Sequence, residues 1–338
     1  MSLLADPVRW HARSGTDLLS VVVPVYNEMA VLPAFHARLA AVLATLPLEA
    51  EVLYVNDGSR DATASVLRRL RVGDARVAVL DLSRNFGKEA ALTAGLDHAR
   101  GEAVVVIDAD LQDPPERIPD MLHAWREGFD MVTMRRAHRP AESFLKRASA
   151  AAYYRLLNRL SAVPIPVDTG DFRLLSRRAV LALRELPERN RYMKGLFAWI
   201  GFRQTEIVYD RDARAAGKSR WPYTKLIRLA LDGITSFTSA PLRLATIAGL
   251  LTACAALAFG VWTIIKTLVF GEPVAGYPSL MTAVLFLGGI QLLAIGIQGE
   301  YLGRLYEESK QRPVYLTKAY QPAAATHTIS KQTAGETA

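Results

Sequence analysis

Short runs of β-branched and other apolar residues recur along the first part of the chain: Ser20 to Val25 (SVVVPV), Glu51 to Val55, Val77 to Leu82, Ala103 to Asp108 and Asp130 to Met134. Between them lie stretches with the longer period of helices. Strands that are apolar almost throughout, rather than at alternate positions, belong to sheets covered on both faces. The pattern therefore predicts an α/β domain with a doubly wound, Rossmann-like, mostly parallel sheet. In such sheets ligands sit at the carboxyl ends of the strands. Three of the runs end in polar groups there: Tyr26-Asn27-Glu28, Asn56-Asp57-Gly58 and Asp108-Ala109-Asp110.

The second part of the chain has a different texture. Leu244 to Ile265 and Leu280 to Leu302 are each long and apolar enough to cross a hydrocarbon core of roughly 30 Å, which predicts a transmembrane hairpin. Lys225, Arg228 and Arg243 precede it, Arg304, Lys310, Arg312 and Lys318 follow it, and Lys266 is the only basic residue in the turn. The positive-inside rule places both termini in the cytoplasm. The N-terminal sequence has no continuous apolar core of a signal peptide, which agrees with that side. Glu142 to Leu160 and Tyr223 to Phe237 mix aromatic, aliphatic and basic residues at helical spacing. The first fits an ordinary amphipathic helix on the core and an interfacial helix equally well, and the second, next to the hairpin, fits an interfacial helix better. The expected organisation is an extension over 1–17, a catalytic domain over 18–221, a juxtamembrane helix over 222–242, the hairpin over 243–303 and a cytoplasmic tail over 304–338, small and polar from Gln321 onward.

Composition narrows the function classes. The 338 residues carry a formal net charge of +8, but the basic residues do not interleave with aromatics as in nucleic-acid motifs, and many flank the apolar segments. Anionic substrates and an anionic membrane surface account for them, and nucleic acid is not an expected partner. The single cysteine, Cys254, lies in an apolar run and excludes an intramolecular disulfide. The histidines show no metal-ligand spacing. A serine-hydrolase elbow and a dinucleotide fingerprint are both missing. Within the hairpin, Gly299 and Gly303 make a GxxxG spacing, read first as packing inside the hairpin and second as a homo-oligomer contact. Glu300 sits near the cytoplasmic end, within reach of water or Arg304.

The chemistry-bearing residues cluster at the strand ends. Asp108 and Asp110 in DADLQD could share a hard divalent cation that neutralises nucleotide phosphates. Alone, that spacing is better read as a capped turn before a helix starting near Pro114 or Pro115. It does not stand alone. VPVYNE (Val23 to Glu28), NDGSRD (Asn56 to Asp61) and SRNFGKEAALTAG (Ser83 to Gly95) accompany it, with Arg84 and Lys88 bracketing Gly87 at a helix start that favours anions. Asp57 suits a base or ribose contact, or a plain turn before Gly58.

Taken in order, these motifs resemble glycosyltransferase family 2, and within it the polyprenyl-phosphate glycosyltransferases related to dolichol-phosphate mannose synthase, in particular the bacterial bactoprenol glucosyltransferases of O-antigen modification. The resemblance extends through DTGDFRLLSRRAV, PERNRYMKGLFAWIGF, GITSFTSAPLR, GYPSL and FLGGIQLLAIGIQGEYLGR, nearly the whole chain. It implies an A-type glycosyltransferase fold and a nucleotide-sugar site of Pro24, Tyr26, Glu28, Asp57, Lys88 and Asp108. Asp108, Asp110 and Gln112 would surround Mg2+ or Mn2+. GDFRL nominates Asp171 as a base or orienting residue and Arg173 as a contact to the lipid phosphate, although a local salt bridge, with Asp168 as another partner for Arg173, is the plainer reading.

The basic loop RDARAAGKSRW adds Lys218 and Arg220 as lipid-phosphate contacts. Members of the family commonly end this loop in Lys-Tyr or Lys-Phe, and Arg220-Trp221 here keeps charge and aromaticity. Its GKS is not a P-loop, because position 212 is Asp where that motif needs Gly. The implied reaction is inverting transfer of a hexose, glucose from UDP-glucose, to undecaprenyl phosphate, giving a donor that a separate flippase carries outward. Mannose from GDP-mannose, GlcNAc or another sugar is the alternative within the class. A catalytically silent nucleotide-sugar binder is the alternative outside it.

Overall fold

The computed structural model describes residues 18–137, 159, 169–189, 191–209, 240–270 and 276–324. They divide into two compact units, the first built from the N-terminal part of the chain together with residues from Pro313 onward, the second from Pro222 to Arg312 with a short stretch around Arg159.

The first unit is organised on an eight-stranded sheet. Its strands are β1 (Leu19–Val25), β2 (Ala50–Asn56), β3 (Val77–Leu82), β4 (Ala103–Val106), β5 (Met131–Arg136), β6 (Thr169–Ser176), β7 (Gln204–Tyr209) and β8 (Thr317–Gln321), in the spatial order β7-β5-β6-β4-β1-β2-β3-β8. Strands β3, β2, β1 and β4 form the parallel centre. Their Val-rich sequences are buried on both faces, as the apolar runs predict. The sheet is less uniformly parallel than the sequence pattern suggests, because β6 and β8 run against the rest.

Helices α1 (Leu32–Ala44), α2 (Thr63–Gly73), α3 (Lys88–His98), α4 (Ile118–Arg126), α5 (Arg177–Glu185) and α6 (Met193–Trp199) belong to the same unit. Leu32, Phe35 and Leu39 of α1, Tyr54 of β2, Trp125 of α4 and Phe172 of β6 belong to one continuous core. Truncating a fully buried aromatic such as Trp125 would cost about 3–5 kcal/mol. Helix α3 is buried on nearly every side, from Ala90 to Leu96. Its close approach to the sheet depends on Gly95, where a Cβ would stand 2.2 Å from Val22 Cγ1.

The expected tail differs from what is found. Residues 304–309 continue the preceding helix, and Thr317–Gln321 return to the first unit as β8, antiparallel to β3 at the sheet edge. The Ser83 amide donates to the Leu316 carbonyl at 2.9 Å, and the Arg71 guanidinium donates to the Pro322 carbonyl at 3.2 Å. Tyr315 donates to Asp97 at 2.9 Å, while Tyr320 packs edge-on against His98. Covering the β3 edge satisfies backbone groups that would otherwise invite pairing with another chain. Thus 304–338 is not a uniform tail. A five-residue edge strand is too short and too polar to have announced itself.

The second unit contains α7 (Ala240–Phe270) and α8 (Tyr277–Ser309), both longer than the apolar stretches read from sequence. Ala240–Trp262, with a mean hydropathy of 2.1, is the stretch among the described residues long and apolar enough to cross a membrane. Leu250, Leu251, Leu257, Leu292 and Leu293 are exposed, an arrangement suited to lipid rather than water. The Thr246 and Thr252 hydroxyls donate to the carbonyls of Leu242 and Ala248, one turn back, so that neither of these two donors is left unpaired. Glu300 pairs with Arg304 at 3.3 Å, one of the two outcomes expected for it. The amphipathic segment 222–242 falls outside the described residues up to Ser239, as does 142–160 apart from Arg159.

Candidate active site

Strand direction builds the site. Parallel β1, β2 and β4 bring their carboxyl ends to one edge of the sheet. Antiparallel β6 brings its amino end to the same edge, with Arg173 paired in register to Val106. Residues from the first half of the domain therefore meet Asp171 and Arg173, far away in sequence.

The loops after β1 and β2 are tied together by short polar bonds. Asn27, at a φ of 56°, accepts from the Arg60 amide at 2.9 Å and donates its own amide to Ser59 at 3.0 Å. The Glu28 amide donates to Thr63 Oγ1 at 2.9 Å. Asp57 organises the next loop: one carboxylate oxygen accepts from the Phe86 amide at 2.7 Å, the other from the Gly87 amide at 2.9 Å. Gly58, at a φ of 61°, is required here, because a Cβ would stand 2.4 Å from the Arg84 carbonyl carbon. Asp57 thus sets where α3 begins, a task not read from its sequence.

A cleft of about 290 Å³ opens at this edge, lined by Pro24, Val25, Tyr26, Glu28, Asp57, Asn85, Gly87, Lys88, Ala91, Asp108, Ala109 and Asp110. Every nucleotide-sugar residue expected from the sequence lies on it: Pro24, Tyr26, Glu28, Asp57, Lys88 and Asp108. Of the expected metal set, Asp108 and Asp110 line it, whereas Gln112 does not and donates its backbone N–H to Asp110 at 3.1 Å. No group of three or more His, Cys, Asp or Glu among the described residues is arranged to hold a metal. The donor chemistry nevertheless fits Mg2+ or Mn2+: such ions take one or two carboxylates and complete their shell with water and substrate phosphates.

Lys88, first residue of α3, reaches from the cleft to β6. Its ammonium lies 2.7 Å from Asp108 and 2.6 Å from Asp171. Burial works against its charge, but these two carboxylates outweigh that and hold its pKa above the ordinary lysine range. Asp171 shows the reverse balance. Burial would raise its pKa, but Lys88, Lys194 and Arg173 press it well below the usual carboxylate range. Arg173 is 4% exposed, stacked on Phe197 at 3.9 Å, and donates to the Gly170 carbonyl at 2.9 Å. Burial brings its pKa down to about 10, against the pull of Asp171 and Glu89.

Two residues of this cluster had no assigned role in the sequence. Glu89 follows Lys88 and accepts the Met193 amide at 3.2 Å. Burial, then Asp171, pushes its pKa up to about 7. Lys194, the second residue of α6, is half-buried, and burial with the nearby Arg173 and Lys88 lowers its pKa despite Asp171 and Glu89. Asp113, buried beyond the DAD segment, accepts from the Tyr209 hydroxyl at the end of β7 and serves the fold. Lys218 and Arg220 lie outside the described residues.

Comparison with known proteins identifies the family of the chain. Residues 20–184 match the glycosyl transferase family 2 model, and residues 240–305 match the GtrB C-terminal hairpin. The chain is 49% identical over 300 residues to a bactoprenol glucosyl transferase of Shigella phage SfV, covering 89% of this chain and 98% of that one. It is also 46% identical over 300 residues to a prophage bactoprenol glucosyl transferase homolog of Escherichia coli K12, covering 89% and 98%. An uncharacterized glycosyltransferase of Synechocystis is 49% identical over 298 residues, covering 88% and 94%. With the cleft, the sheet edge and the hairpin all accounted for, the chain belongs to glycosyltransferase family 2 and carries the GtrB type of C-terminal hairpin.

Proposed function

We propose that this enzyme transfers glucose from UDP-glucose to undecaprenyl phosphate, with inversion, at the cytoplasmic face of a bacterial plasma membrane. The observation that carries the reading is the Lys88 bridge: one ammonium joins Asp108 of the nucleotide-sugar cleft to Asp171 outside it, so donor and acceptor sides meet at a shared cation. The names of the Shigella phage and Escherichia coli relatives support glucose and the bactoprenol acceptor. The apolar α7 and the GtrB-type hairpin support membrane attachment, and the basic flanks support the cytoplasmic side.

In this reaction an oxygen of the lipid phosphate attacks the anomeric carbon as the bond to the nucleoside diphosphate breaks. The diphosphate leaves with the electron pair, and the glucosyl lipid forms with the opposite configuration. Asp108 and Asp110 would hold Mg2+ or Mn2+, which when bound supplies positive charge to the departing diphosphate. Lys88 holds Asp108 and Asp171 in place beside the reacting centre. A phosphate monoester has its second pKa near 6 and is largely dianionic at neutral pH, so it hardly needs a base. On this reading Asp171 orients Lys88 and the acceptor side rather than removing a proton. Lys218 and Arg220 are assigned to the lipid phosphate, and Arg173 stands behind Asp171. A separate flippase would consume the product.

Purified protein in detergent, given undecaprenyl phosphate and a panel of labelled nucleotide-sugars with Mg2+ or Mn2+, tests the proposal. Labelled lipid should form from UDP-glucose. Transfer from GDP-mannose alone would replace the sugar, and no transfer from any donor would overturn the reading.

A further inference from the structure

Beyond Lys88, on the acceptor side, cations and carboxylates gather in a partly buried cluster. Lys88, Arg173 and Lys194 converge there on Asp171 and Glu89, and Asp171, Glu89, Arg173 and Lys194 are all absent from the lining of the donor cleft. Lys88 is shared with Asp108 on the donor side, which leaves Arg173 and Lys194 as the cations that face Asp171 and Glu89 alone. A cation of such a cluster that no carboxylate holds in an ion pair is placed to receive an incoming anion.

The two cations other than Lys88 are not equivalent. Arg173 is sealed: its guanidinium is stacked on Phe197 and bonded to Gly170, and its buried Nε has no hydrogen-bond partner. Lys194 is only half-buried, and among the described residues no carboxylate stands within ion-pair distance of it. Its position is fixed from α3. Glu89 accepts the Met193 amide at 3.2 Å, and the Thr93 hydroxyl lies 3.9 Å from Met193 Sδ. The start of α6 is thereby fastened beside Lys88, and Phe197 of the same helix covers Arg173.

We propose that Lys194 is a further substrate-binding residue, the cation that receives the phosphate monoester of the acceptor, with Glu89 as the positioning residue that holds α6 and Arg173 as its buried support. The inference rests on the glucosyl-transfer reading above. An ammonium on a short helix clamped by a carboxylate supplies a directed, charge-assisted contact to one phosphate oxygen. It would add to whatever Lys218 and Arg220 contribute from their loop.

Two measurements separate this inference from its parent. Wild-type transfer from UDP-glucose to undecaprenyl phosphate scores the parent reading alone. Binding of a short prenyl phosphate to the full-length protein, followed without turnover, scores Lys194. Lys194→Gln should weaken that binding about tenfold, the value of one charge-assisted hydrogen bond, while UDP affinity stays within about twofold. Lys194→Arg should recover most of the loss. Retained UDP affinity also certifies that the variant is folded. In turnover, Lys194→Gln should raise KM for the lipid and leave KM for UDP-glucose near its original value. Glu89→Ala should move the same lipid KM, and Glu89→Gln, which keeps an acceptor for the Met193 amide, should move it less. Prenyl phosphate binding unchanged in Lys194→Gln would overturn the proposal. So would equal weakening of UDP and prenyl phosphate, which would put Lys194 on the departing diphosphate.

Discussion

Lys88 Nζ lies 2.6 Å from the Asp171 carboxylate, and the same ammonium is 2.7 Å from Asp108. A residue at the start of α3 thus neutralises one carboxylate just beyond β4 and one in β6 that would otherwise repel each other. Lys88→Met should lower kcat about a hundredfold, the scale seen when one preorganised electrostatic group is removed. Lys88→Arg should retain part of the rate. Near-normal turnover in Lys88→Met would remove the bridge from the mechanism.

Asp110 carries the metal assignment most directly, because it lines the cleft while the Lys88 ammonium lies against Asp108. Asp110→Asn should lose about a hundredfold or more in turnover, and UDP-glucose binding should no longer strengthen when Mg2+ or Mn2+ is added. Donor titrations with and without metal give a readout independent of turnover. Metal-stimulated binding at the original strength would show that the ion is held elsewhere.

How much of this was legible in the sequence depends on the range of the interactions. Val-rich runs ending in Tyr26, Asp57 and Asp108 announce parallel strands and their functional edge, because burial on both faces leaves a local signature. The direction of β6 is not local: Asp171 reaches that edge only because β6 runs antiparallel to β4. Asp57 looked like a ligand residue, and its carboxylate proved to fasten the amides of Phe86 and Gly87. Glu89 and Lys194 sat inside recognised motifs without a role, since neither spacing nor composition reveals that α3 and α6 meet.

The returning strand β8 makes a separate expectation. Ending the chain after Arg312 would strip the β3 edge and remove the bonds of Leu316, Tyr315 and Pro322. Loss of roughly 2–3 kcal/mol in a domain of this size corresponds to a fall in Tm of roughly 5–10 °C, with greater aggregation. Tyr315→Phe, which removes one hydrogen bond to Asp97, should cost only about 1 kcal/mol. A truncated protein melting at the original temperature would show that β8 is not part of the cooperative unit.

The proposed orientation of the hairpin is testable by labelling. In a Cys254→Ala background, a cysteine at Ser279, near the start of α8, should react with an impermeant thiol reagent applied from the periplasm. One at Ser309, the last residue of α8, should be protected until the membrane is opened. The opposite pattern would place the catalytic unit away from its cytoplasmic donor.

Glu89 links pH to both stability and acceptor binding. Burial, reinforced by Asp171, pushes its pKa up to about 7 from the ordinary 4.5, against the opposing Met193 amide, Lys88 and Lys194. Between these values the folded chain holds a proton that the unfolded chain has released. Stability contributed at this position is therefore greatest below about 4.5, falls as pH rises to about 7, and is level above that. Glu89→Gln has no such proton to lose. The melting temperature of the variant relative to the original enzyme should climb through that window and then stay flat. The acceptor should feel the same ionisation: once Glu89 is charged it repels the dianionic lipid phosphate, so the original enzyme should show KM for the lipid rising above pH 7, and Glu89→Gln should not. Ionisation of the phosphate itself is nearly complete by then, with its second pKa near 6, and cannot produce that rise. Parallel pH profiles for the two proteins, in melting and in lipid KM alike, would mean that Glu89 is already ionised in the folded enzyme at low pH.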